Sequence, residues 1–487
     1  MKNFHVAIVG GGVIGSAIAW ELSKYKLDVV IFEKEIDVCS GTSKANSGVI
    51  HSGINSAPNS LKAHFCVEGN RLFQSLSDQL GFSLKWTGKY VIAKNEAEIE
   101  KLEELKKTGI KNNVPELKIH DVSKIRKKEP NIDCVAGLWV PTAGIVLPYE
   151  LTIALAENAA INGAKFLLEN EVTDINKKNN GFEITTNKGV FKTDIVVNSA
   201  GLNCRDIVSM VEDPDFQVYP CRGEYLVLDK KYNGLINSMI YPIPVEEFGI
   251  LGIHITPTIE GNILIGPSAE FIDNPKDNRT TRNTMKNLMD EAKNILPVLP
   301  DGAIINAYSG VRCKLSSPEK SEISDYRIGE SKLNPGFFNL LGIESPGLTA
   351  APAIAKEICN MISNHLELKT KDYFKIKKKS KHFNELSIEE KENLIKKDGR
   401  WGRVVCRCEH ITEAEVVEAL SNPLEASALS SVKYRCRAGM GRCQGGFCTQ
   451  HIVRIMQDDF DMHIADIKLR STGSNMFFGR NRGTKDD

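Results

Sequence analysis

The sequence predicts an α/β fold in which a parallel sheet carries an antiparallel-sheet domain and a small third module follows. Three observations predict it. The glycine run Gly10-Gly11-Gly12-Val13-Ile14-Gly15 separates two short apolar runs, a long middle stretch reads as mostly β, and five of the twelve cysteines fall between Cys406 and Cys448. A chain of 487 residues is also too long for one core of ordinary size, so two or three domains are expected.

Apolar residues make up 41% and charged residues 25%, the balance of a soluble globular protein rather than a disordered or membrane one. Lys plus Arg and Asp plus Glu both number 62, so no global field recruits nucleic acid or an anionic membrane. The apolar run 6–20 is broken by Gly10, Gly11, Gly12 and Gly15, where an export signal or membrane span would carry leucines. The expected compartment is therefore the reducing cytosol, with peripheral attachment at the inner face of the membrane as the alternative. Cysteines there serve metals more readily than disulfides.

Taken in order, residues 4–9 form a β-rich run, 16–24 have helical character, and the apolar run 28–32 ends at Glu33, which together make a βαβ unit. A Gly/Ser/Asn-rich segment (41–60) leads to a helical stretch from about 60 to 80, strand-like pieces around 84–93 and a charged helical section (95–128). Residues 147–162 suit a helix packed on a sheet, two strand pairs follow at 165–198, and residues 196–202 bring the chain to a tight glycine turn. Residues 215–330 read as mostly β, with turn signals at Glu260-Gly261-Asn262 and Asn274-Pro275. Another strand (337–343) precedes a glycine turn and helix (345–361). Lys375, Lys377, Lys378, Lys379 and Lys381 mark a basic run expected to be a solvated connector, with a docking strip for an acidic partner as the alternative.

The glycine run follows a strand and opens a helix, and Glu33 ends the next strand at the distance of a ribose-binding acid, so the context is that of a Rossmann-type dinucleotide site. Gly10 permits the tight turn, Gly12 lets backbone approach a pyrophosphate, and Gly15 lets helix and strand pack closely. The helix N-terminus offers its N–H groups to the phosphates, and Glu33 accepts from the ribose hydroxyls. FAD and NAD both use this fingerprint. FAD is favoured because two distant glycine turns, Asn198-Ser199-Ala200-Gly201 and the stretch from Gly342 to Thr349, supply the further backbone contacts that a long cofactor needs.

Residues 1 to about 365 resemble the D-amino-acid-oxidase-like flavoenzyme superfamily, and within it the L-2-hydroxyglutarate dehydrogenases and the FAD-dependent glycerol-3-phosphate dehydrogenases. The stretches that carry the resemblance are Asn46-Ser47-Gly48-Val49-Ile50-His51-Ser52-Gly53, Pro220-Cys221-Arg222-Gly223-Glu224-Tyr225, Gly252-Ile253-His254-Ile255-Thr256-Pro257, and Gly342 to Thr349. The resemblance implies an extended FAD with the substrate over the flavin beneath an antiparallel sheet. It places Ser43, Asn46 and Ser47 near the cofactor and Gly347, Leu348 and Thr349 at the flavin ring. The expected division is an oxidoreductase domain, 1–365, with FAD-binding segments at about 1–90, 145–210 and 330–365 and substrate segments at about 91–144 and 211–329. A linker (366–399), a cluster domain (400–455) and a tail (456–487) complete it.

Cys406-Arg407-Cys408 is followed, after 34 intervening residues, by Cys443-Gln444-Gly445-Gly446-Phe447-Cys448. Four thiolates in two close pairs are what a [2Fe-2S] cluster requires, although zinc could use the same ligands. Glycines 439, 441, 445 and 446 allow the chain to wrap a cluster, and Cys436 is left as a spare thiol. The stretch Arg437 to Cys448 resembles the bacterioferritin-associated-ferredoxin-like [2Fe-2S] domain, which implies ligation by Cys406, Cys408, Cys443 and Cys448.

A flavin with a cluster suggests a dehydrogenase that takes a hydride and releases electrons singly. The hydroxyl proton of the substrate needs a base. His51 is the first candidate and His254 the second, the bland reading of each being a structural imidazole. Arg222 and Arg312 are the candidate cations for an anionic substrate. FAD is expected to be noncovalent, with Cys313 a conceivable anchor. The expected reaction is oxidation of a small anionic hydroxy compound, first of all sn-glycerol 3-phosphate, with a partner flavoprotein subunit or a quinone as electron acceptor. An L-2-hydroxyglutarate or related dehydrogenase and a non-catalytic electron-transfer subunit are the alternatives.

Overall fold

The computed structural model describes residues 2–244, 252–319 and 324–478, so the last nine residues of the expected tail lie outside the described residues. Strand Lys2–Val9 stands inside an eight-stranded sheet, parallel to Val29–Phe32 on one side and to Gly189–Asn198 on the other. Val6 and Ile8 face one layer and Ala7 and Val9 the other, all four buried, because the sheet is covered on both faces. Helices Val13–Leu22, Leu61–Leu80, Pro148–Ile161 and Gly347–Ile362 supply the first cover.

Strand Gly189–Asn198 divides its partners. Its first half runs antiparallel to Phe182–Thr186, while Val196–Asn198 runs parallel to Phe337–Asn339. The turns after Val9, Asn198 and Leu341 thus leave the sheet at one edge, the carboxyl ends of its parallel strands, where α/β sheets bind ligands.

The second sheet has nine strands. The long pair Tyr219–Leu228 and Ile304–Lys314 is antiparallel, and the sheet continues through Ile263–Gly266, His254–Pro257, Met239–Pro242, Lys89–Ala93 and Ala136–Val140 to Lys118–Asp121. Two expectations need correction here. Helix Arg282–Ile295 lies within the stretch expected to be mostly β: Thr281 caps it, and Leu288, Met289, Ala292 and Ile295 bury one face against the sheet. Strand Lys118–Asp121 interrupts the charged section expected to be helical, because it pairs with Ala136–Val140.

The lysine-rich segment is bound to its own chain. Asn158 and Asn162, one turn apart on helix Pro148–Ile161 and at its C-cap, take the backbone N–H and C=O of Lys377 and Lys375 at 2.8–2.9 Å. Lys377 and Lys379 pair with Glu157 and Glu150 at 3.0 and 2.8 Å. The charge run is thus a strap rather than a free strip, and helix Ile388–Lys397, with a Ser387/Glu390 capping box, follows it.

Beyond the strap, helices Glu413–Leu420, Leu429–Cys436 and Thr449–Asp458 form a small core with Val405, Ile411 and Ile467. Ile467, Met476 and Phe477 pack on this core, so the described part of the expected tail belongs to the module. Leu424 and Ala426 share a further apolar cluster with Val38, Ile153 and Ala156 of the first sheet's layer.

Candidate active site and thiol centre

One cavity of about 840 Å³ takes in both the glycine turn and the two candidate histidines. Gly10 has φ +105° and its Cα packs on the Ser199 carbonyl, where an added Cβ would stand at 2.7 Å. A Cβ on Gly15 would run into the Gly10 carbonyl, so this glycine serves helix–strand packing and does not line the cavity. Helix Val13–Leu22 begins with no acidic residue in its first turn and no side-chain cap from Gly12, although Ser43 Oγ accepts the Val13 N–H at 2.9 Å. Its positive end therefore faces the cavity with no acidic residue of its own first turn to offset it.

Glu33 lines the cavity and accepts the N–H groups of Gly11 at 2.7 Å and Glu35 at 2.9 Å. Burial raises its pKa, and its oxygens retain lone pairs for ribose hydroxyls. Gly12, Ser43, Asn46 and Ser47 line the same cavity, as do Ala200, Gly201, Gly347 and Leu348. These residues fit a dinucleotide with a long second half. Gly342 and Thr349 lie outside the lining: Gly342 turns the chain at φ +68°, and Thr349 Oγ1 accepts the His51 N–H at 2.9 Å. Thr349 is thus a support for His51 rather than a lining contact. The buried Cys313 lines the cavity and donates its thiol to the Ile343 carbonyl at 3.4 Å.

His51 is fixed at both backbone ends, since its carbonyl accepts from Asn70 Nδ2 at 2.9 Å, and its Nε2 stands 3.4 Å from Ser345 Oγ. Burial and the neighbouring Lys89 charge push its pKa down to about 3, so the imidazole is neutral. His254 stacks on Tyr241 with ring centroids 4.1 Å apart and holds Thr256 Oγ1 at 3.0 Å through Nδ1. Its pKa lies well below the usual value, first through burial and then through its neighbours His51, Lys89 and Arg312, the last two of them cations.

The two candidate arginines part company. Arg312 lines the cavity, donates to the Ser268 carbonyl at 2.6 Å and has no carboxylate partner among the described residues. Arg222 does not line it: its guanidinium is shared by Glu270 at 2.6 Å, Asp277 at 2.8 Å and Glu224 at 3.7 Å, so its charge is already spent on the sheet. The sequence reading missed Lys89. This buried lysine lines the cavity with its ammonium 4.6 Å from the Tyr241 ring, has no ion-pair partner among the described residues, and is pressed down to about 8 by burial. The signal was present, a lysine opening the otherwise apolar strand Lys89–Ala93. Two further cavity lysines, Lys62 and Lys314, share Glu344 at 2.9 and 3.3 Å.

The four cysteines of the module stand as two pairs. Cys408 and Cys443, both exposed, have sulfurs 3.6 Å apart, and Cys406 and Cys448, both buried, are hydrogen-bonded to each other. Two close pairs of thiols suit two irons taking two thiolates each. A Cβ on Gly441 would run into Cys408 Cβ, so glycine there lets the two cysteine loops meet. The Cys448 thiol and the N–H groups of Gly439, Glu409 and Cys408 lower Cys406 to about 6, toward the thiolate, the form in which a cysteine can bind a metal. Cys436 is buried, donates to the Val432 carbonyl at 3.3 Å and is pushed up to about 12, which keeps it an inert thiol.

A family model described as FAD dependent oxidoreductase matches residues 5–361, and one described as BFD-like [2Fe-2S] binding domain matches residues 404–458. The chain is 40% identical over 480 residues to a glycerol 3-phosphate dehydrogenase of Caloramator mitchellensis, covering 98% of each chain. It is 33% identical to a glycerol 3-phosphate oxidase of Mycoplasma pneumoniae, over 74% of this chain and 95% of the relative. It is 28% identical to the L-2-hydroxyglutarate dehydrogenase of Escherichia coli (strain K12), over 74% and 94%. The solved structure of dithionite-reduced L-alpha-glycerophosphate oxidase from Mycoplasma pneumoniae with FAD bound superimposes with a TM-score of 0.72 at 32% identity, over 77% of this chain and 98% of that one. No helix among the described residues is long and apolar enough to cross a membrane. The chain belongs to the FAD dependent oxidoreductase family, and it joins to that catalytic unit a BFD-like [2Fe-2S] binding domain.

Proposed function

We propose that the chain is a dehydrogenase that oxidises sn-glycerol 3-phosphate to dihydroxyacetone phosphate, with a partner flavoprotein subunit or a quinone as the final electron acceptor. The observation that carries this reading is the similarity to a glycerol 3-phosphate dehydrogenase along 98% of both chains, cluster module included. The oxidase and hydroxyglutarate relatives cover only 74% of the chain.

When bound, FAD supplies a hydride acceptor and the cluster a one-electron outlet. Gly10, Gly12, Ser43 and Glu33 hold the adenosine diphosphate half of FAD, and Gly347 and Leu348 close on the other half. His51 Nε2 receives the proton of the substrate's secondary hydroxyl. Its backbone, pinned by Thr349 and Asn70, keeps the ring aimed into the cavity. A neutral imidazole with so low a pKa is a weak base by itself, and a dianionic substrate is the countercharge that makes its protonation favourable. Lys89 and Arg312, two cavity cations that bear on His254 and have no carboxylate ion pair among the described residues, take the phosphate.

Anaerobic titration of the holoenzyme tests the reading. Glycerol 3-phosphate should bleach the flavin. Bleaching by L-2-hydroxyglutarate alone would transfer the chain to the second class of relative, and bleaching by neither would make it an electron-transfer subunit.

A further inference from the structure

The contact between the cluster module and the flavin unit is buried and highly specified. Arg435, with 6% of its side chain exposed, bridges Asp37 at 2.6 Å and Glu157 at 2.8 Å. Both acids belong to the flavin unit, and Leu424 and Ala426 continue its apolar layer, so the module is seated rather than swinging on its connector. Two residues on, Arg437 takes the left-handed conformation at φ +68°, unusual for a side chain of its size. The turn sets its guanidinium between Glu409 of the module at 3.1 Å and the Tyr149 hydroxyl of the flavin unit at 2.8 Å. A phenol has one proton. Having accepted from Arg437, Tyr149 donates to Met440 Sδ at 3.4 Å.

Met440 precedes Gly441, the residue that touches Cys408, and lies three positions before Cys443. On its other side the Tyr149 ring stands 5.1 Å from Tyr434, over which the Lys44 ammonium sits at 5.9 Å, and Lys44 lines the FAD cavity. A second tyrosine pair reaches the same wall: Tyr308 donates to the Asn46 carbonyl at 3.0 Å and stacks at 4.8 Å on Tyr225, another lining residue. Packed side chains therefore connect the cavity wall to the cysteine loop through Tyr434, Tyr149 and Met440.

We propose that Tyr149 and Met440 are positioning residues that set the contact across which electrons leave the flavin unit for the cluster, with Arg437 orienting the phenol. This rests on the reading that the cluster is the outlet. The two electrons from each substrate molecule cross singly, so the acceptor must reoxidise the cluster once between them, and the substrate's two protons, one taken by His51 and one carried to the flavin with the hydride, are released to solvent by the end of the cycle.

The test uses anaerobic holoenzyme mixed rapidly with glycerol 3-phosphate, following loss of the flavin colour and of the broader cluster absorption separately. In Tyr149→Phe and Met440→Leu, flavin bleaching should keep its rate. Cluster reduction should fall about tenfold in Tyr149→Phe, the factor that loss of one hydrogen bond to a charged group carries, and by a smaller factor in Met440→Leu, which loses only the neutral bond from the phenol to sulfur. The cluster's own spectrum and potential should not move. With both cofactors removed, hydrogen exchange should quicken at residues 437–443 in Tyr149→Phe while helix Glu413–Leu420 keeps wild-type protection. Cluster reduction at the wild-type rate in both variants would overturn the proposal. A wild-type cluster that substrate never reduces, beside a flavin that it does bleach, would instead overturn the reading beneath it.

Discussion

Replacing Lys89 by methionine keeps an unbranched stem and removes a buried cavity charge that has no carboxylate partner among the described residues. A hydrogen bond to a charged group contributes about 1.5–3 kcal/mol, so kcat/KM for glycerol 3-phosphate should fall about 10- to 150-fold. Most of the loss should lie in KM, because the phosphate is held alike in ground and transition states. The pH profile is the sharper readout. Burial lowers the Lys89 ammonium to about 8, so its attraction for the anion is fully present below that pH and is lost as pH rises through it. His51, neutral down to about 3, adds no acid limb in the working range, where the phosphate's own second ionisation at about 6 sets the lower limit. Arginine keeps its charge at every accessible pH. Lys89→Arg should therefore retain part of the affinity and lose the basic limb. Initial rates with an artificial acceptor across about pH 5 to 10 measure both variants. A basic limb unchanged in both would refute the assignment of the phosphate to Lys89.

His51→Asn should slow flavin bleaching by about 10²- to 10⁴-fold while the bound FAD spectrum persists, as stopped-flow absorbance would show. Arg222→Met should leave KM close to wild type yet cost about 3 kcal/mol in urea unfolding, since it takes the cation from the buried Glu224 carboxylate, leaving it the Thr281 hydrogen bonds, and releases Glu270 and Asp277. Gly15→Val, forced against the Gly10 carbonyl, should yield protein without yellow colour on purification. Cys408→Ser should remove the broad absorption beyond that of flavin and abolish transfer to the acceptor, with flavin bleaching by substrate intact.

The dinucleotide turn was legible because its requirements are local: a positive φ at Gly10, a close approach at Gly15 and a carboxylate on the next strand are each written in one residue. The thiol pairs were legible for the same reason, since Gly441 must be glycine for the two loops to touch. Convergence was not. Arg222 and Arg312 lie on neighbouring strands, and only the pairing of Tyr219–Leu228 with Ile304–Lys314 and the arrival of Glu270 and Asp277 decide which guanidinium is left for a ligand. Lys89 shows the converse, a residue whose role depends on a sheet assembled from segments far apart in the chain. Helix Ile388–Lys397 has a local signal too, the Ser387 and Glu390 capping box directly after the lysine run.

Strand Phe337–Leu341 takes its place beside Val196–Asn198 and leads to Gly347 and Leu348, so the pocket's last wall is made more than three hundred residues after its first glycine. At about 5–20 residues per second, a ribosome needs roughly 15 to 70 s to span that interval. An emerging fragment therefore has no complete grip on the dinucleotide, and the cofactor meets a polypeptide that is nearly finished. Its binding then stabilises the native state by mass action, which ties the amount of surviving enzyme in a cell to the supply of dinucleotide.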